Sequence, residues 1–140
     1  MSQICLVACA RKKTTHATRA ESLYVSPLFK KSRRYALGFD RWYILSAKYG
    51  VLEPSLVVEP YEMTLKQMTK KDRHAWSRRV ARSICNLTAA SDRIVILAGL
   101  DYREELIPLL RDRKYIVDVP MKGLGIGQQL HWLDKQSLNP

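Results

Sequence analysis

Four short apolar runs, each stopping in small or polar residues, constrain this chain more than any other feature. Ile4–Ala8 runs into Cys9 and Arg11–Lys13, and Trp42–Gly50 turns polar at Ser46, Ala47 and Lys48. Ile94–Ala98 runs into Gly99, and Tyr115–Val119 into Lys122 and Gly123. Unalternating runs of this length, rich in branched and aromatic residues, are the pattern of strands buried on both faces. If the four strands are parallel, their polar ends meet along one edge, where open α/β sheets hold ligands.

Helical patterns lie between the runs. Ser26 is an expected N-cap with Pro27 at the first helical position. Leu28, Phe29, Ser32, Tyr35 and Ala36 then form an inward stripe opposite Lys30, Lys31, Arg33 and Arg34, with Gly38 as the expected C-cap. Thr69 and Asp72 have the spacing of a capping box. They open a helix over about Lys70–Leu87 whose buried stripe is Trp76, Val80, Ile84 and Leu87. A helix is predicted over Asp101–Leu110, kinked or ended by Pro108, and another over Ile126–Lys135. The strands are Gln3–Ala8, Arg41–Leu45, Arg93–Ala98 and Tyr115–Val119. The alternation predicts an α/β fold in three layers, a mainly parallel four-stranded sheet with helices on both faces, as one domain over residues 1–140. Arg11–Val25 and Val51–Leu65 show no periodicity and read as long loops, which in compact domains are often functional.

Composition adds the partner class. Lys and Arg number 24 against 13 acids, a net charge of +11 over 140 residues. Such an excess draws polyanions, and nucleic acid or nucleotide is the expected partner, against the plainer account of a solvated basic surface. No run approaches the roughly 18 apolar residues of a membrane span. The apolar start has no basic segment before it, so a cytoplasmic protein is expected. Three cysteines, an odd number, argue against a disulfide framework. Cys5 reads as a small buried apolar residue. No Cys, His or acidic cluster has ligand spacing, so neither a metal nor a cofactor is expected. Oligomeric state is left open.

Three groups of residues carry candidate chemistry. Cys9 stands close to Lys12 and Lys13, which favour a thiolate and so a nucleophile; the alternative is a strand-end cysteine beside phosphate-holding lysines. Ser46-Ala47-Lys48 sets a lysine at a strand end, where it can neutralise phosphate or, desolvated, act as base or nucleophile. Glu59-Pro60-Tyr61 offers a carboxylate and a phenol in a stiff loop, for water, a ribose hydroxyl or a mere ion pair. Lys122 and the glycines Gly123, Gly125 and Gly127, followed by Gln128, precede the last helix, where backbone N–H groups can meet an anion. The spacing is neither the dinucleotide fingerprint nor a Walker A loop. Of the histidines only His16, in the first long loop, falls near this edge.

Cys9-x-x-x-Lys13, Leu23-Tyr24-x-Ser26-Pro27-Leu28-Phe29, Trp42–Gly50, Glu59-Pro60-Tyr61, Ala98-Gly99 with Tyr102, and Gly125-Ile126-Gly127-Gln128 occur in that order. Together they resemble a bacterial and phage domain of unknown function, loosely described as YaaA-like, over nearly the whole chain. More distantly, the plan is similar to the uracil-DNA glycosylase-like superfamily, which includes the catalytic domain of archaeosine synthase. That resemblance implies a small parallel sheet whose strand ends grip a base and its phosphates. The loops after the first and fourth strands would then face them. The chain has no GQDPY-like or HPSPLS-like loop, so uracil excision itself is not implied. Tyr24, Ser26, Ser46, Gly99 and Tyr102 join Lys12, Lys122, Gly125, Gly127 and Gln128 as expected ligand-binding residues. Cys9, Lys13, Lys48, Glu59 and Tyr61 form the expected catalytic set. The expected function is a glycosylase-like hydrolase or transferase acting on a nucleobase or N-glycosidic bond. The alternatives are a DNA-, RNA- or nucleotide-binding module without chemistry and a stress protein using Cys9.

Overall fold

A computed structural model describes residues 1–138. Four of its strands are the apolar runs: β1 (Gln3–Ala8), β3 (Arg41–Ser46), β6 (Arg93–Leu97) and β7 (Ile116–Asp118). All four are parallel. β1 lies centrally, pairing Ile4–Ala8 with Arg41–Leu45 on one side and Gln3–Val7 with Arg93–Leu97 on the other. β7 then pairs with β6. The sheet has five strands rather than four, because β4 (Gly50–Leu52) folds back antiparallel on β3. The order is β4-β3-β1-β6-β7, so the sheet is mixed though mainly parallel. Gly50 makes the reversal possible. It pairs with Ser46 at φ 74°, a left-handed conformation that side chains resist.

Helices cover both faces. α2 (Pro27–Ala36) and α6 (Ile126–Leu138) pack together on one, over a core that includes Cys5, Val7, Ile44, Val95 and Leu97. α3 (Lys70–Leu87) and α5 (Leu106–Asp112) cover the other, over Ile4, Leu6, Tyr43, Leu45, Ile94 and Ile96. The alternation of these two sets along each strand explains why no polar face was visible in the sequence. Ser26 caps α2 by accepting from the Phe29 N–H, and Thr69 caps α3 by accepting from the Asp72 N–H. No helix among the described residues is long and apolar enough to cross a membrane.

Several local expectations are corrected. Leu37, in right-handed helical conformation, ends α2, and Gly38 has no positive φ to exploit. Leu87 is exposed at the end of α3, where the helix has passed the edge of the core. The helix expected over Asp101–Leu110 is two helices, α4 (Leu100–Arg103) and α5, and the break falls at Glu104 and Glu105 rather than at Pro108. Pro108 sits in the first turn of α5, where its missing N–H leaves no intrahelical bond unmade.

The two long loops are also more ordered than their sequences imply. β2 (Thr18–Arg19) and α1 (Ala20–Leu23) fall in the first, and β5 (Val57–Val58) in the second. β2 and β5 pair antiparallel, and Ala20 and Glu21 donate to the carbonyls of Leu56 and Pro54. Lys13 and Tyr24 bridge within the first loop. The two segments clasp each other beside the carboxyl end of the sheet.

Candidate functional site

The parallel strands place Cys9, Ser46 and Gly99 along one edge. The Cys9 N–H donates to the Leu45 carbonyl, extending the β1–β3 ladder one residue into the site. The chain leaves β1 towards β3 on one side and later returns to β6 on the other. The gap between β1 and β6 is therefore the switch point at which open sheets form ligand crevices. A cavity of about 620 Å³ lies there, within the range of small-molecule sites. Its apolar wall includes Leu28, Phe29, Leu97, Met121 and Leu124, and its polar groups come from Cys9, Ser26, Ser32, Arg103 and Gln129. The starts of α2 and α6 both open onto it.

Beside the cavity stands a cluster of phenols and lysines. The Cys9 sulfur lies 3.1 Å from the Tyr102 hydroxyl. Tyr102 stacks edge-on against buried Trp76, whose Nε1–H donates to the Ser46 carbonyl. The Tyr61 hydroxyl sits between those of Tyr24 (2.6 Å) and Ser46 (2.7 Å), and the Tyr49 N–H donates to Ser46 Oγ. Three hydroxyls carry three protons, and two bonds among them use two, so one O–H of the three stays uncommitted within the group. Burial keeps these phenols protonated, pushing Tyr24 up to about 12 and Tyr61 and Tyr102 well above the ordinary phenol value.

Two lysines from different loops converge on Tyr61. Lys13 Nζ is 4.5 Å from the centre of its ring and Lys48 Nζ 5.9 Å. Lys48 also stands over Tyr49, itself edge-on to Tyr61. Partial burial lowers the pKa of Lys13, opposed by the charges of Cys9 and Glu62. Neither lysine is ion-paired with a carboxylate among the described residues. Two cations, one of them partly desolvated, with no acid paired to either form a ready anion site, and the aromatic face supplies partial compensation.

The expected residues thus divide. Cys9, Lys13, Tyr24, Ser46, Lys48, Tyr61 and Tyr102 come together around the strand ends, and Ser26, Gly99 and Gly125 line the cavity with Cys9. Lys12 is exposed, and Lys122 borders a separate groove with Asp118 and Arg111. Glu59 is exposed and lines neither the cavity nor the groove beside Lys48, so it joins neither group. Glu62, exposed as Glu59 is, comes nearer: it is felt by Lys13 and, with Asp72, borders a groove with Lys48, Trp76 and Arg79. The Gly125 N–H is taken by the Gln128 side chain at 3.0 Å, so it is not free for an anion. Gly127 is exposed and does not line the cavity. His16 is exposed, and its carbonyl accepts from the Thr14 hydroxyl. Tyr49, Glu62, Trp76 and Arg103 were not expected. Tyr49 stands within the Trp42–Gly50 motif, and Trp76 is indistinguishable in sequence from an ordinary core residue.

Comparison with known proteins gives a family and no activity. No solved structure matches the chain. An uncharacterized protein of Bacillus subtilis strain 168, YfjM, is 30% identical over 149 residues, covering 96% of this chain and 95% of its own length. The model of a family of unknown function, DUF6884, matches residues 4–135. The chain belongs to that family.

Proposed function

We propose that the protein is an enzyme acting on a nucleobase, or on its N-glycosidic bond, in a nucleotide or nucleic acid. The observation that carries this is the cavity between β1 and β6, of a size for a base or nucleoside, with a thiol and a two-lysine anion site on one side of it. The parallel core, gripping at its carboxyl ends, is the plan that the likeness to YaaA-like and uracil-DNA glycosylase-like proteins implies. Enzymes that act on a base take it out of its stack and into such a pocket.

The base would lie against Phe29 and Leu97, and Lys13 and Lys48 would hold the adjoining phosphate. In hydrolysis, water adds to the sugar carbon, the carbon–nitrogen bond breaks and the base leaves with the electron pair. Glu62, outside the cavity wall but near enough to act on Lys13, takes the proton from water, and Lys13, its ammonium made more acidic by burial, gives one to the departing nitrogen. Tyr61 does not orient water, because its hydroxyl is engaged by Tyr24 and Ser46. In a base exchange the Cys9 thiolate would instead bond to the sugar carbon as the base leaves with the electron pair. A nitrogen of the incoming base would then displace the sulfur, its N–H proton replacing the one given to the base that left. A thiolate there would accept from Tyr102 O–H.

Among the described residues the cavity wall has neither a carboxylate nor a histidine, and this favours a second reading, a binding module without chemistry. The two separate in one experiment. Oligonucleotides and nucleosides bearing ordinary and modified bases are incubated with the wild type, Lys13→Ala and Cys9→Ser, and released base is measured. The enzyme reading expects release that falls at least a hundredfold in Lys13→Ala, with binding weakened far less because Lys48 remains. Binding of the same substrates with no bond broken in the wild type establishes the module instead. No binding and no release would remove both.

A further inference from the structure

The basic residues of α3 are divided in a way that the site does not use. Those turned towards α4 and α5 are matched: Arg73 pairs with Asp101 and His74 with Glu105. Those on the outer side are not. Lys71, Arg78, Arg79 and Arg82 are exposed, and none forms an ion pair among the described residues. At about 100° per residue, Lys71, Arg78 and Arg82 fall within roughly 40° of one another, opposite the buried stripe of Trp76, Val80 and Ile84. Arg79 is turned off that line towards the site, where it borders the same groove as Lys48 and Glu62. Arg78 and Arg82 are four apart and repel each other. Asp72, in the first turn, is the sole acid in the helix.

We infer that this face of α3 is a docking surface for a phosphodiester backbone, running from Lys48 through Arg79 to the Lys71–Arg78–Arg82 line. From Lys71 to Arg82 the line is about 16 Å long, or about five nucleotide steps along one strand of a duplex. Charge complementarity selects the occupant. Exposed cations without paired acids on a rigid helix attract a polyanion, and a strand held there would pass the two-lysine site over Tyr61. The choice of polyanion rests on the function proposed above; the unmatched stripe does not.

The test is the salt dependence of binding to a DNA or RNA of about 20 nucleotides, single-stranded and duplex. Removing one phosphate-neutralising side chain makes the slope of log K against log salt shallower by about 0.9 on duplex and about 0.7 on single strands. Arg78→Gln/Arg79→Gln/Arg82→Gln should therefore flatten it by about three units on a preferred duplex, or about two on a preferred single strand. The matched variant Arg111→Gln/Arg113→Gln/Lys114→Gln, before β7 at the opposite edge of the sheet, should leave the slope unchanged. An equal change in both variants would reduce the effect to net charge, and no change in the first would leave the stripe a solvated face; either result overturns the inference. Mononucleotide binding in Arg78→Gln/Arg82→Gln, which keeps Arg79 beside the site, should stay at the wild-type level. If bases are bound or released but polynucleotides are not held, the docking surface fails alone. If polynucleotides are held through α3 with neither base release nor binding in the cavity, the proposed function fails alone.

Discussion

Tyr61 joins most of what lies at the strand ends. Its hydroxyl ties Tyr24 to Ser46, and its ring carries Lys13 and Lys48. Tyr61→Phe keeps the ring and leaves two buried hydroxyls without their shared partner. It should cost about 1–3 kcal/mol in denaturant unfolding, more than the net worth of a single satisfied hydrogen bond. Adding Ser46→Ala should cost less than the sum of the two changes, since one of the abandoned hydroxyls is then removed as well. Tyr24 gives the alkaline behaviour. Its pKa, raised by burial to about 12, exceeds that of the unfolded phenol, 10.0. The unfolded chain therefore releases this proton first. The contribution is fully present below pH 10 and is lost as pH rises through about 12. Alkaline unfolding followed by phenolate absorbance should show these tyrosines ionising with loss of structure, and Tyr24→Phe should flatten the slope over that window.

Among the elements, α3 and the β3–β4 turn position the site from opposite sides. α3 brings Trp76 under Ser46, and its first turn depends on the Thr69 side chain. Thr69→Ala should destabilise the protein by about 1 kcal/mol. Gly50 holds the turn that places Lys48 and Tyr49. A β-carbon there would meet only ordinary van der Waals neighbours, 3.7 Å from Val80 and 3.9 Å from Arg79 Nε. The cost of Gly50→Ala is thus conformational, about 1–2 kcal/mol. Thermal unfolding checks both, and base binding should weaken in Gly50→Ala as Lys48 shifts. The clasp of β2 and β5 belongs here too. Thr18–Arg19 and Val57–Val58 have no pattern that marks them as partners. Their hydrogen bonds exist only because the two segments meet beside the Tyr24–Tyr61 pair.

For the whole molecule, two cysteines on one strand line report on the packing. Cys5 is fully buried in the middle of β1, and burial pushes its thiol far above the ordinary range. Cys9, just past the end of the same strand, is half-buried on the cavity wall. Alkylation of the native protein followed by mass spectrometry should modify Cys9 and spare Cys5, and a ligand seated in the cavity should slow it. Labelling of Cys5 at the same rate would mean that the sheet opens.

The four parallel strands, the faces of α2 and α3 and the meeting of Cys9, Ser46 and Lys48 at one edge were legible in the residues. A strand buried on both faces needs an unbroken apolar run, and parallel strands joined by helices put like ends together. What no local pattern carried was the partner of each polar group. The fifth strand, the clasp and the engagement of the Tyr61 hydroxyl all depend on contacts between distant segments. Those are settled by burial, which obliges each buried polar atom to find a partner wherever the folded chain supplies one.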